Sequence, residues 1–515
     1  MVMKKLLYVI YGLLLCTSCN NILDVQPENA VTYKNFFQNE DDVHSVYVQM
    51  YANLRDVYYG FFTMQPQDKI GLRYDAKNTS PYEYEEELKH LSVSAFKSLL
   101  ISWRAYYDAI FQANFMLDNL YRAHLSKDRE NFYVGHANFV KGLMYYEIAR
   151  RWGNAPIPID SESSEALGRS EASVVLDTAA ANALRAYNLL AKYDEAVDVN
   201  GKTVSKYYAH KGAAAALLAN IYAWKGGIFN DMDAYKEAEK YCTLIIENKV
   251  GVYKLEDTPE DVCLHKSMSC ESVFELLNLN EDFETGLTTG RYHTGINFHI
   301  GENYGYGGYP LNPNSVVGNN QIYSLYLLKN ETVKEIWGEE DLRRQAYFWN
   351  FDQMCEENVD ITGGYAYPYF WRTPLIDPSW NEMVNVVGNR MFWRLAEIYL
   401  LRAEARCRAG LAGAESDLNA VRNRAHANTY PSVKDTEGLQ MAIFREREKE
   451  LFFDGERYFD IVRNGYWRLP EMISSTFAAL TDEDVRNGAL YLPIPDSEMT
   501  RNNKMRRNPY WLAKW

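Results

Sequence analysis

The chain has 515 residues with 69 acidic and 54 basic side chains, so its formal charge is −15. At 47% hydrophobic and 24% charged it has the make-up of a folded body, which excludes a disordered chain and a polytopic membrane protein. The acidic balance argues against a general nucleic-acid binder, which needs a basic face for phosphates. Tyr is the outlier, at 40 residues beside 22 Phe and 11 Trp. A flat apolar ring with a polar tip serves half-wet contact surfaces and ordinary cores alike.

The start of the chain reads as an export signal. Lys4 and Lys5 precede an apolar run over 6–15, too short to span a bilayer comfortably. Thr17-Ser18-Cys19 follows. Residues 1–18 are therefore expected to be a lipoprotein signal peptide, cut before Cys19, whose thiol then carries lipid and tethers the body to a membrane surface. Cys16 stands three places before Cys19, where Leu is usual. Residues 19–32 read as an extended leader, and no other stretch reaches 18 apolar residues.

Helices are expected next. One covers 41–55. A second covers 103–123, where Trp103, Tyr106, Tyr107, Ile110, Ala113, Asn114 and Leu117 recur at three- and four-residue steps. A third, 137–152, is stopped by Gly153 and Pro156, and a fourth covers 174–193. A clearer pair follows: 213–225, ending at Gly226-Gly227, then 235–247. A similar pair lies in 392–425, with Gly410 as the residue after the first helix. Small residues at the crossings make these pairs resemble tetratricopeptide units, about four and degenerate. The fold class is thus mainly α, with a loop-rich elaborated face. The expected division is a helical part over 33–250 and a second part over 251–515, together one compact body. The second part divides into a loop-rich stretch (251–389), helices (390–465) and a tail (466–515). So long a loop-rich stretch tends to carry function.

Nothing in the sequence reads as a catalytic centre. HExxH, GxSxG and Walker A patterns are missing, and the histidines show no zinc spacing; His293 and His299 lie in the loop-rich stretch. No metal and no cofactor is expected. The helix expected over 444–463 is dense in charge, but Glu446, Glu448 and Glu450 are spaced by two and point to different helix faces. The Arg residues among them would hold those carboxylates ionised, which is wrong for a glycosidic acid and right for a structural ion-pair network. Besides Cys16 and Cys19 there are Cys242, Cys263, Cys270, Cys355 and Cys407. The number is odd and the spacing irregular, so a disulfide framework is not expected, although Cys263 and Cys270 are near enough in sequence to pair. Cys242 and Cys407 read as inert core thiols.

The loop aromatics are the remaining candidates. A pyranose stacks its C–H face on an aromatic ring, and its hydroxyls need polar planar partners, because an unpaired buried polar group costs on the order of 1–3 kcal/mol. Two segments interleave both residue types. Residues 68–84 hold Asp68, Arg73, Tyr74, Asp75, Asn78, Tyr82 and Tyr84. Residues 291–309 hold Arg291, Tyr292, His293, Asn297, Asn303, Tyr304, Tyr306 and Tyr309. Trp349, Trp371 and Trp380 are secondary candidates, while Trp103 belongs to a helix stripe and reads as core. Any single Tyr here is equally suited to packing a loop.

Several stretches, in order, resemble one family. Cys19 is followed by Leu23-Asp24-Val25-Gln26-Pro27, and Arg151-Trp152-Gly153-Asn154-Ala155-Pro156 ends a helix. Arg394-Leu395-Ala396-Glu397-Ile398-Tyr399-Leu400 leads to Ala403-Glu404-Ala405, and Leu418-Asn419 to Arg422-Asn423-Arg424-Ala425. Glu446-Arg447 opens a run through Glu450-Leu451 and Gly455-Glu456-Arg457 to Asp460, with Asp454 where Glu is usual. Leu492-Pro493-Ile494-Pro495 and Asn508-Pro509-Tyr510 close the chain; Arg507 replaces a common Gln, and the Gly before Tyr is missing. This series is similar to the SusD/RagB outer-membrane lipoproteins of Bacteroidetes. The resemblance implies a right-handed scaffold of tetratricopeptide-like pairs, lipid-anchored at the outer membrane and facing the exterior. It implies a SusC-like TonB-dependent barrel as partner, over which the protein acts as a lid. It implies a glycan ligand, or in some branches a peptide or other nutrient, captured without catalysis on a face built from loops of the two segments above. A surface hydrolase and a helical interaction scaffold without small ligand are the competing readings.

Overall fold

Four helix pairs, packed one on the next, form the frame. The computed structural model describes residues 36–59, 66–77, 85–98, 101–198, 201–278, 326–356, 359–372, 374–377, 382–386 and 388–515. The longer helices are α1 (Glu40–Tyr59), α2 (Arg104–Asn119), α3 (Lys127–Trp152), α4 (Ala172–Leu189), α5 (Lys211–Ile228) and α6 (Met232–Ile246). After the middle stretch come α7 (Leu395–Ala409), α8 (Ala414–Arg424), α9 (Leu439–Glu450) and α10 (Arg457–Asn464). The pairs are α1–α2, α3–α4, α5–α6 and α7–α8, with α2 on α3, α4 on α5 and α6 on α7. The mainly helical class and the paired units match the expectation from periodicity. The signal segment and Cys19 lie outside the described residues. Among the described residues no helix is long and apolar enough to cross a membrane.

Local chemistry sets the helix ends. Asn39 and Asp42 exchange backbone and side-chain hydrogen bonds at the start of α1, whose first turn is acidic and suits the positive end of the helix dipole. Ser126 accepts the Arg129 N–H to cap α3. That helix starts ten residues before the expected 137, because its first turn, residues 127–131, is wholly polar. Gly153, with φ of 72°, ends it as expected. Gly410, with φ of 67°, ends α7 in the left-handed conformation that glycine allows.

Two expectations need correction. Gly226-Gly227 does not end α5, which runs through both residues. A Cβ on Gly226 would sit 2.7 Å from the Tyr235 ring, and one on Gly227 would run into the Arg463 backbone carbonyl. The glycines therefore mark close crossings with α6 and α10, not a stop. Gly227→Ala is expected to lower stability by about 1–3 kcal/mol through overpacking, read as a drop in the urea unfolding midpoint; an unchanged midpoint would show that the crossing relaxes freely. The second correction concerns 444–463, which is two helices, α9 and α10, divided by a turn. Leu451, Phe452 and Phe453 are consecutive and all buried, which one helix face cannot arrange. Phe452 and Phe453 pack on Trp337, Tyr347 and Phe370 with ring centroids 5.0–5.8 Å apart, and Gly455 reverses the chain with φ of 88°.

Short elements order much of the middle. β1 (Ala76–Lys77), β3 (Tyr326–Lys329) and β4 (Tyr365–Ala366) form one antiparallel sheet, pairing Ala76 with Leu327, Lys77 with Tyr326 and Leu328 with Ala366. β2 (Ser272–Leu276) pairs with β7 (Arg390–Arg394), and β5 (Pro374–Asp377) with β6 (Glu382–Val386). The β2–β7 ribbon leads straight into α7, where the Leu395 N–H reaches the Glu271 carbonyl at 2.9 Å. The main core runs through α1–α6 and on to α10, with a smaller one of Ala396, Leu400, Leu418, Val421 and Ile443 beneath α7–α9. Trp103 is in the main core, 5.8 Å from the Trp152 ring, as its helix stripe implies. Cys263 and Cys270 are separate thiols, the first buried and the second exposed; Cys242 is buried and Cys407 half-buried.

Candidate functional site

The first candidate segment begins inside the protein. The short helix Pro66–Ile70 is buried throughout. The Gln67 amide donates to the Arg151 carbonyl at 3.1 Å, and Asp68 pairs with the Arg151 guanidinium at 3.0 Å. Asp68 is 2% exposed, so it does not reach a ligand surface. A carboxylate removed from water needs a cation, and Arg151 at the end of α3 supplies it. Trp371 is likewise in the interior, its ring 5.3 Å from Phe370 and beneath the Lys266 ammonium. Both corrections have one cause: a chain that crosses the core buries whatever side chains lie there.

From Arg73 the segment emerges. The Tyr74 ring lies 4.8 Å from Tyr326, with the Lys89 ammonium 4.4 Å over its face, and its hydroxyl donates to Glu86. Burial would push the Glu86 carboxyl up; the Tyr74 hydrogen bond and Lys89 outweigh it and hold it below the usual range. Asp75 is exposed, donates its N–H to the Leu327 carbonyl at 2.8 Å and accepts the Lys329 N–H on its carboxylate at 2.6 Å. Residues 75–77 of the first segment are thus laced to strand β3, which follows the second segment in sequence. Asn78, Tyr82, Tyr84, Arg291, Tyr292, His293, Asn297, Asn303, Tyr304, Tyr306, Tyr309 and Trp380 lie outside the described residues. Trp349 is half-buried, its backbone N–H bonded to the Tyr367 carbonyl.

Beside Arg73 and Tyr74 opens a cleft of about 670 Å³, within the usual range of small-molecule sites. Its other walls are α9, the 335–341 turn, the 427–438 loop and residues 471–473. Glu448, on its floor, pairs with Arg457 at 2.6 Å, Arg445 at 2.9 Å and Arg73 at 3.8 Å. Burial favours the neutral acid, but these guanidiniums outweigh it and hold the Glu448 carboxyl at about 2. Lys449, next along, is half-buried and makes no hydrogen bond and no ion pair within 4.0 Å among the described residues. Burial pushes its ammonium below the ordinary value, and Glu446 pulls it part of the way back.

Under the floor lies a buried ion-pair lattice. Arg343 contacts Asp341 at 2.8 Å, Glu446 at 2.6 Å and Glu450 at 2.9 Å. Arg422 joins Glu446 and Asp435, both at 2.9 Å. Arg394 and Arg424 meet both Glu450 and Glu271. The reading of these acids as structural partners agrees with this geometry. The expected three-way separation needs correction: Glu446 and Glu450, four residues apart, share a face and both meet Arg343, while Glu448 points away to Arg457 and Arg445, and all three are buried. Glu397 runs the other way: burial pushes its carboxyl up to about 8, with Arg447 only 4.0 Å distant to oppose it. It is 4% exposed, so this acid is sealed from any substrate.

Arg445 and Lys449 were not among the expected site residues. Their spacing with Glu448, three and four residues, does place them on one face of α9. Lys434 and Asn428 carry no such signal, because a loop folds back to bring them to the cleft.

With this geometry in place, comparisons identify relatives. Residues 385–511 match the family model described as the SusD family, and residues 21–223 match one described as starch-binding, associating with the outer membrane. A SusD-like protein P25 of Formosa agariphila is 24% identical, the alignment spanning 98% of this chain and 97% of the relative. A SusD-like protein P38 of the same species is 21% identical over 88% of this chain and 90% of the relative. Among solved structures, a SusD homolog from Bacteroides thetaiotaomicron superposes with a TM-score of 0.72 at 20% identity, covering 92% of this chain and 99% of that one. A laminarin-binding SusD-like protein superposes with a TM-score of 0.69 at 20% identity, with the same coverage. At these identities the superpositions establish the fold.

Proposed function

Because the chain belongs to the SusD family, we propose that it captures an oligosaccharide at the outside of the outer membrane and passes it to a SusC-like TonB-dependent barrel. The body is held at the membrane through a lipid on Cys19. The observation that carries this reading is the lacing of Tyr74 and Asp75 to strand β3, beside a polar cleft that Arg73 and Tyr74 line. One aromatic ring and several planar polar groups there meet the two needs of a sugar, a face to stack on and partners for its hydroxyls. The expected contacts are Arg73, Tyr74 and Asp75, joined by Asn78, Tyr82, Tyr84, Arg291, Tyr292, Asn303, Tyr304, Tyr306 and Tyr309. The laminarin ligand of one structural relative and the starch-binding description of one matching model support a carbohydrate. Binding takes place without chemistry, and a modest affinity suffices because an adjacent barrel raises the effective concentration.

Isothermal titration of the full mature chain against a panel of neutral and acidic oligosaccharides tests the reading. Tyr74→Ala and Tyr304→Ala are each expected to weaken binding roughly tenfold, since stacking plus a hydrogen bond is worth about 1–2 kcal/mol. Binding to peptides and to no glycan would overturn the carbohydrate assignment, and full affinity in both variants would move the site elsewhere.

A further inference from the structure

The short helix Glu85–Lys89 sets an acid and a base three residues apart, on one face. Both side chains reach Tyr74. Glu86 accepts the Tyr74 hydroxyl, which fixes the edge of the ring, and the Lys89 ammonium stands 4.4 Å over its face. The same ammonium is 3.3 Å from the Glu86 carboxylate. The end of the helix is anchored: the Lys89 carbonyl accepts the Ser474 hydroxyl at 2.5 Å, and Nδ1 of His90 lies 3.1 Å from the Thr476 hydroxyl. The backbone beneath Lys89 is therefore fixed, and the flexible stem of its side chain is what can move.

The two sides of the Tyr74 ring are not equivalent. Tyr326, 1% exposed, packs on it from within, with centroids 4.8 Å apart and a tilt of 44°. Lys89 and Tyr74 line the cleft together, so the ammonium covers the ring from the side a ligand approaches. The Lys89 side chain is only 17% exposed, as a group laid over a ring should be, whereas that of Glu86 is 59% exposed. A pyranose that stacks on Tyr74 needs the surface that Lys89 occupies. A cation and a sugar C–H face both seek the electron-rich face of the ring, so one excludes the other.

We propose that Lys89 is a gate on the stacking surface: it covers Tyr74 in the empty protein and swings aside when a sugar ring takes its place. The inference rests on the carbohydrate reading above and adds the regulation of that site. Glu86 makes the exchange mild. The ammonium can leave the ring and keep its carboxylate, since Glu86 is exposed and already within ion-pair distance. The Tyr74 hydroxyl keeps Glu86 as well, so the ring stays oriented throughout. Covering the ring lowers the apparent affinity by the fraction of molecules in which it is uncovered, and a change that removes the cover restores that loss.

Titration of the full mature chain with the oligosaccharide panel above, laminarin and starch hexasaccharides among it, tests the gate. Lys89→Ala uncovers the ring and should bind the panel members that the parent binds roughly three- to tenfold tighter, the effect of losing one competing cation–π contact. Lys89→Arg keeps a cation over the ring and should bind no tighter than the parent. Thermal melts verify that both variants fold. A second measurement uses the unmodified chain: brief acetylation with acetic anhydride, read by mass spectrometry of the peptide that carries Lys89. A saturating panel member should raise Lys89 labelling by about threefold or more, the ring no longer shielding the amine, and leave Lys236, exposed on α6, unchanged. A lysine that grips the ligand would instead be protected. Affinity in folded Lys89→Ala equal to or weaker than the parent, or Lys89 labelling that stays level or falls, would overturn the inference. If Tyr74→Ala still weakens binding in that case, the carbohydrate reading stands without the gate. If no member of the panel binds, both fall together.

Discussion

Glu450→Gln is expected to destabilise the fold by about 3–5 kcal/mol, the usual penalty for breaking a buried ion pair. Glu450 is 1% exposed and lies against Arg343 at 2.9 Å, Arg394 at 2.5 Å and the Arg424 guanidinium. Burial alone would push its carboxyl up; Arg424, Arg394 and Arg343 outweigh burial and hold it well below the carboxylate range. Gln preserves the shape and removes the charge, leaving three interior guanidiniums with one counter-charge fewer. Because whole folds are stable by only about 5–15 kcal/mol, this loss is large. It is also delocalised, since the same lattice joins α9 to β7 through Arg394, to α8 through Arg424 and to the middle stretch through Glu271 and Arg343. Urea unfolding followed by tryptophan fluorescence reads the effect. A variant within about 0.5 kcal/mol of the parent would mean that water or a shifted side chain replaces the lost charge.

Stability is expected to peak near pH 6.5 and to fall on either side, for reasons that lie in separate parts of the core. His136 and His210 are both buried. Burial first, then nearby positive charge or the other histidine, holds each at about 3. In the folded state, Nδ1 of His136 is hydrogen-bonded to the Tyr51 hydroxyl at 2.7 Å, and Nδ1 of His210 accepts the Ala213 N–H at 3.2 Å. Unfolded histidine takes up its proton near pH 6.5. Between 6.5 and 3 the unfolded chain therefore binds two protons that the folded chain refuses, and stability is lost as pH falls. Glu448, held at about 2, adds to this loss below pH 4.5. Glu397 acts in the opposite sense. Its carboxyl, pushed up to about 8 by burial, keeps a proton that the unfolded chain has released, so its contribution is complete below 4.5 and disappears as pH rises through 8.

From 4.5 to 6.5 the two histidines outweigh Glu397 by about one proton, a slope of roughly 1.4 kcal/mol per pH unit in favour of higher pH, which the Glu275 carboxyl, also raised by burial, reduces. From 6.5 to 8 the histidines are neutral in both states and Glu397, with the Glu275 carboxyl also raised by burial, reverses the slope. Urea midpoints across pH 4–8 measure the curve. Glu397→Gln, which imitates the protonated acid, should flatten the alkaline arm, and His136→Gln should halve the histidine contribution on the acid side. A midpoint that stays level from pH 7 to 5 would refute the histidine account.

The helical frame was legible because its signals are local. A stripe at three- and four-residue steps needs only its own segment to be recognised, and the stripes at 103–123 and 213–247 led directly to α2, α5 and α6. Gly410 as a terminator was legible for the same reason. Gly226 and Gly227 were not: whether a glycine ends a helix or admits a neighbour depends on Tyr235 and Arg463, and the latter is more than 200 residues further along the chain. Asp68 and Trp371 failed as contact residues for a related reason. Their composition suited a binding loop, but burial is a property of the assembled body.

The acids of α9 divide the two kinds of information most clearly. Sequence alone determined that carboxylates set among so many arginines would be ionised and structural, because opposite charges at short spacing stabilise each other in almost any folded arrangement. Only the tertiary structure decided that Glu446 and Glu450 meet partners beneath the floor, while Arg445 and Lys449 line the cleft. That division is made by segments from residue 73 to residue 457, brought together by packing the helix pairs. Charge balance at a surface is a sum over whatever the fold places there, and no stretch of chain contains that sum.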